Sequence, residues 1–212
     1  MQALQSVIDT INQAFELKSA VRDRTLRRSR ELIRCCANSV RATHRGEDGQ
    51  TLELLQTARE IAAEMIDEVQ DYPDLYFAGY TQDALKELSE AHITRAIIMG
   101  EAMPSPDQLN VENAAFLNGL AEAAGELRRF ALDALRRGDV PQAEKMLGHM
   151  DDIYSVLVTV DFPGAITGGL RRNTDMVRGV LERTRGDVTT AVRQEAMKAA
   201  LKRFEQRAGV TD

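Results

Sequence analysis

The chain has 212 residues, of which 43% are hydrophobic, 28% charged and 5% aromatic, with 5 Pro, 2 Cys and no Trp. That balance excludes collagenous, disordered and disulfide-stapled classes, and the length suffices for a single domain over residues 1–212 with its own buried core. The net charge of −6 is too small to name a partner by itself, so the distribution of charge matters more than the total.

Long stretches place apolar residues three and four apart and none alternates as a strand does, which predicts an all-α protein, a seven-helix bundle. The first helix runs to about Thr43, with Ile11, Phe15, Leu26, Ile33, Cys36 and Val40 as its apolar stripe and Gly46 to Gly49 as its stop. A second spans about Thr51 to Gln70 and ends before Pro73; a third spans about Thr81 to Met99, closed by Gly100 and the turn Pro104-Ser105-Pro106. Asn110 or Asn113 caps a fourth that continues to Arg137. The letters Arg-Gly-Asp-Val occur at 137–140 and again at 185–188. Each predicts a helix corner, with glycine left-handed and aspartate capping the next helix, and so helices over about Val140 to Val160, Ala165 to Arg183 and Val188 to Ala208.

No apolar run approaches the roughly 18 residues of a membrane span, and Asp9 interrupts any signal-peptide layout. The expected location is the cytoplasm, without a membrane partner. Cys35 and Cys36 are adjacent, which suits neither an ordinary disulfide nor a cysteine metal site, and they read as buried small hydrophobes.

Between Lys18 and Arg45 nine basic residues face two acidic ones, a local charge of +7 that leaves −13 for the remainder. Eight of the nine are arginine, whose planar fork grips two phosphate oxygens at once. Arg24, Arg27, Arg28, Arg30, Arg34, Arg41 and Arg45 are therefore the candidate nucleic-acid-binding residues. A basic helix face balancing acidic neighbours is the competing reading.

Four glutamates are candidates for chemistry: Glu87 and Glu90, three apart, and Glu122 and Glu126, four apart. Each pair shares a helix face, where two like charges repel unless a cation sits between them. Magnesium or manganese prefers such oxygen ligands, and a pair of facing helices can supply them around a phosphodiester. Spacing alone is weak, since roughly five four-apart acidic pairs arise by chance at this composition. Glu126 could simply pair with Arg129 on a solvated face. Against that, Ala115, Gly119 and Phe130 share the sector of Glu122 and Glu126 and would let another helix approach. His92 and Arg95 lie one turn beyond Glu90 but are not assigned a role, and His44 and His149 lack zinc-ligand spacing.

The ordering of an Arg-rich first helix, Glu-Leu-Ser-Glu-Ala at 87–91 and the segment from Phe116 to Arg129 resembles the translin family, prokaryotic type, over nearly the whole chain. The resemblance implies the translin fold, assembly into a homo-oligomer, commonly an octamer, and binding of RNA or single-stranded DNA on an inner basic surface. Its catalytic branch, that of translin-associated factor X, is a metal-dependent ribonuclease with Glu-x-x-Glu and Asp-x-x-x-Glu motifs. Glu87, Glu90, Glu122 and Glu126 match them, with glutamate at 122 in place of aspartate. The expected function is thus a Mg²⁺- or Mn²⁺-dependent endoribonuclease acting on single-stranded or partly paired RNA. A non-catalytic RNA or single-stranded DNA-binding shell and an all-α nucleoside triphosphate pyrophosphohydrolase are the alternatives.

Overall fold

A computed structural model describes residues 1–208. Among the described residues every regular element is a helix: α1 (Gln2–Arg45), α2 (Asp48–Val69), α3 (Pro73–Tyr76), α4 (Gly79–Met99), α5 (Pro106–Leu109), α6 (Asn113–Arg136), α7 (Val140–Leu157), α8 (Gly164–Thr167) and α9 (Leu170–Ala208). The all-α expectation holds, with six long helices and three of a single turn. None of the described helices is long and apolar enough to cross a membrane.

The chain divides into two compact units, Met1–Gly119 and the chain from Leu120 onward, the division falling inside α6. In the first unit α1, α2 and α4 pack on one another. Leu32, Cys36 and Val40 from α1 meet Leu55, Ala58 and Met65 from α2, and Leu85, Leu88 and Ala91 from α4. These residues recur at three- and four-residue spacing, so each helix turns one apolar face to the same core. Both cysteines are buried free thiols, as their adjacency predicts.

Two sequence expectations need correction. Ile11 and Phe15 do not join this core; they are 42% and 67% exposed. At 1.5 Å per residue α1 extends about 66 Å against about 33 Å for α2, so its N-terminal part runs past its partners. Positions 1–17 are all exposed.

The second correction concerns the repeated Arg-Gly-Asp-Val. At the first copy Gly138 is left-handed with φ 78°, and Asp139 Oδ1 accepts from the Gln142 N–H at 3.1 Å, capping α7. At the second copy α9 continues unbroken through Gly186, so the two expected last helices are one. The residues just beyond each copy make the difference. Pro141, without an N–H, can open a helix but cannot sit inside one. Thr189 and Thr190 instead donate their hydroxyls back to the carbonyls of Arg185 and Gly186. Asp187 is engaged by Arg128 Nη1 at 2.8 Å. Within the second unit α7 and α9 pack together, with Met146, Met150, Leu157, Val177 and Leu181 buried.

Candidate metal centre and nucleic-acid interface

Glu87 and Glu90 stand three apart on α4 and are half-buried, because the opposite side of that helix supplies Leu85 and Leu88 to the core. The first turns of α6 lie against this part of α4. A Cβ placed on Gly119 would fall 2.7 Å from the Lys86 carbonyl oxygen, 2.7 Å from Ser89 Cβ and 2.9 Å from the Glu90 nitrogen. Only glycine permits so close an approach, and Ser89 opposite is small and buried. Glu122 follows Gly119 by three residues along α6, close to one helical turn.

One carboxylate oxygen from each of Glu87, Glu90 and Glu122 lies within 4.8 Å of the others. Oxygens bound to one magnesium ion in octahedral geometry are separated by about 2.9 to 4.2 Å. The three half-buried carboxylates therefore fit a hard divalent ion with small side-chain adjustments. Glu126 is four residues beyond Glu122, and its Oε2 is 3.7 Å from Arg129 Nη1. Lys86, which sequence reasoning passed over, places Nζ 3.6 Å from Glu87 Oε1; its adjacency to Glu87 was the available signal.

Cys36 lies under the same surface. Burial first, then Cys35, Glu87 and Glu90, push its thiol well above the usual range. It stays a neutral thiol at pH 7, which suits neither a nucleophile nor a soft metal ligand. His92 is also neutral: burial, then the Arg59 and Arg95 guanidinium groups, push its imidazole down to about 4.

The arginines of α1 separate into groups. Arg28 binds Glu68 through Nε at 3.1 Å and also meets Glu64; Arg24 Nε is 3.4 Å from Glu68. The Arg28 hydrogen bond in turn holds the Glu68 carboxyl below the usual carboxylate range. Arg45 is tied to Glu47 just past the helix end. By contrast Arg27, Arg30 and Arg34 are exposed and line one strip of surface with Asp23, Leu26 and Glu31. Arg41, one further exposed member of that stripe, donates to Asn38 Oδ1 at 2.6 Å. Successive spacings of 3, 4 and 7 keep these four on one side of the helix.

No family model matches the chain. It is 30% identical over 191 residues to the uncharacterized protein MJ0175 of Methanocaldococcus jannaschii, a match spanning 89% of this chain and 84% of that protein. Among solved structures it is similar to AfC3PO in a complex with duplex RNA, with TM-score 0.80 and 36% identity over 87% of this chain and 95% of that one. AfC3PO alone gives TM-score 0.78 and 34% identity over 87% and 96%. Apo-NeC3PO, at 20% identity and TM-score 0.79 over 87% and 96%, shows likeness of fold.

Proposed function

The chain belongs to the translin family, and from that premise we propose that it is a metal-dependent endoribonuclease holding RNA within a shell of identical subunits. The observation that carries this reading is the convergence of Glu87, Glu90 and Glu122 oxygens within 4.8 Å. A magnesium or manganese ion bound there would activate water and stabilise the leaving oxygen of a phosphodiester. Glu87, Glu90 and Glu122 would hold that ion, and Glu126 is the fourth carboxylate of the proposed set. The relative AfC3PO was solved with duplex RNA, which supports RNA as the ligand; single-stranded or partly paired RNA is the proposed substrate. Single-stranded DNA is a further proposed ligand, and the cytoplasm the proposed setting.

A circular RNA, which has no ends, tests the endonucleolytic step. It should be linearised in manganese; a circle that stays closed while the protein binds it would assign the chain the non-catalytic, RNA-binding role. Consumption of free nucleoside triphosphates with RNA left whole would point to the pyrophosphohydrolase alternative.

Arg27, Arg30, Arg34 and Arg41 form the proposed backbone-binding face, because their guanidinium groups are exposed whereas Arg24, Arg28 and Arg45 are held by carboxylates. Phosphate contacts confer affinity with little sequence preference. Replacing Arg30 and Arg34 together with alanine should weaken binding to every RNA and reduce the slope of log affinity against log salt by about 1.4 for single strands. An unchanged slope would place the RNA on another surface.

The apolar stripe Leu4, Ile8, Ile11 and Phe15 on the overhanging part of α1 is exposed in the single chain. A contiguous apolar stripe of this kind marks an association surface, and we assign it to a second copy of the chain, in an octamer as the family resemblance implies. The double variant Ile8→Asp/Phe15→Asp should keep its helical circular dichroism and lose mass in light scattering. Retention of the wild-type mass would exclude this stripe from the interface.

A further inference from the structure

The first unit holds a second polar site whose residues the carboxylate group does not use. A cavity of 250 Å³ is lined by α2, α4 and the segment after Met99, with Gln56, Arg59, His92, Arg95 and Glu101 as its polar residues. Arg95 is 5% exposed, an unusual position for a guanidinium, and two carboxylates hold it there. Asp48 engages Nη1, and Glu101 Oε1 accepts from Nη2 at 2.8 Å. Bound in this way, its planar fork is fixed in orientation.

Arg59 is exposed and donates to the Gln108 carbonyl. A guanidinium carries five N–H groups, so donors remain on Arg59 for a ligand. His92 Nε2 is buried without a hydrogen-bond partner, an arrangement rare enough in folded proteins to require an explanation. The rest of the wall is apolar, from Leu52, Leu55, Ala96 and Pro104. With the Arg95 charge balanced by Asp48 and Glu101, the unused donors of Arg59 and the unsatisfied imidazole, together with the aliphatic wall, match an anion carrying an organic body.

We propose that this cavity binds a phosphate group, free or as the monoester of a nucleoside. Arg59 grips the phosphate through its unused N–H groups, while Arg95, held by Asp48 and Glu101, fixes the wall behind it. His92, in the tautomer with hydrogen on Nε2, donates to a phosphate oxygen after a small turn of its ring uncovers that atom. The apolar wall accommodates the sugar and base of a nucleoside monophosphate and has no counterpart in free phosphate.

Calorimetric titration of the full-length assembly tests this, with chelator present so that ions at the carboxylate group play no part. The probes are adenosine 5′-monophosphate, inorganic phosphate and adenosine; the variants are Arg59→Ala, His92→Gln and the Arg30→Ala/Arg34→Ala pair. The nucleotide should bind the wild type saturably, weaken by at least about tenfold in Arg59→Ala and measurably in His92→Gln, and be unaffected in the arginine pair. Adenosine should not bind. Tighter binding of the nucleotide than of phosphate assigns a monoester, and equal binding assigns free phosphate; either supports the anion site. Undiminished binding to Arg59→Ala, loss in the arginine pair instead, or no binding by the wild type at millimolar ligand would overturn it. Because the readout is binding without metal, its outcome is independent of whether the chain cleaves RNA.

Discussion

Glu122→Gln is expected to lower metal-dependent RNA cleavage by at least about 100-fold, on the scale of removing one group that stabilises transition-state charge. Glutamine keeps the size of the side chain and one carbonyl oxygen but removes the negative charge that attracts a divalent ion. Manganese at about 100 times its Kd should stabilise the wild type by about 2.7 kcal/mol and have much less effect on the variant. Cleavage that survives Glu122→Gln undiminished would remove this residue from the site, whatever the melting curves show.

Gly119→Ala and Gly125→Ala should shift stability in opposite directions although both lie in α6. In an open helix, replacing glycine by alanine gains up to about 1 kcal/mol. Gly125 meets that condition, with no atom within 4 Å of a Cβ placed there. At Gly119 the added carbon would stand 2.7 Å from the Lys86 carbonyl oxygen and 2.9 Å from the Glu90 nitrogen, backbone atoms of α4 that cannot rotate aside. The helices must part, at a cost of about 1–3 kcal/mol for overpacking. The same displacement carries Glu122 away from Glu87 and Glu90, so Gly119→Ala should also lose its response to manganese. Denaturant midpoints for the two variants check the signs. A stabilised Gly119→Ala would mean that α4 and α6 are not in the close contact described.

Much of this arrangement was legible because punctuation is local. Gly46, Gly100 and Gly138 end their helices in the left-handed conformation, and the expected ends of α1, α4 and α6 lie within two residues of those observed. Local letters failed where a distant residue or the next few positions decided the outcome. Gly186 reads like Gly138, yet the absence of a following proline and the Arg128–Asp187 ion pair keep α9 continuous. Ile11 and Phe15 carry core spacing, but spacing does not reveal that α2 is half the length of α1.

The site divides similarly. Helical spacing places Glu87 beside Glu90, and the small residues around Glu122 already suggested an approaching helix, which the contact of Gly119 with α4 supplies. The arginines could not be sorted in advance, since Glu64 and Glu68 meet Arg28 only through the register of α2 on α1. The pairing of Arg95 with Asp48 and Glu101 is of the same kind.

The most direct test of the central claim is to incubate end-labelled single-stranded RNA with the wild-type protein in magnesium, in manganese and in chelator at one fixed salt concentration. Cleavage at internal positions in either metal, absent in chelator although the RNA remains bound, is the predicted result. RNA bound tightly and left whole under all three conditions would contradict it, and would leave Glu87, Glu90 and Glu122 as a carboxylate cluster on an RNA-binding protein.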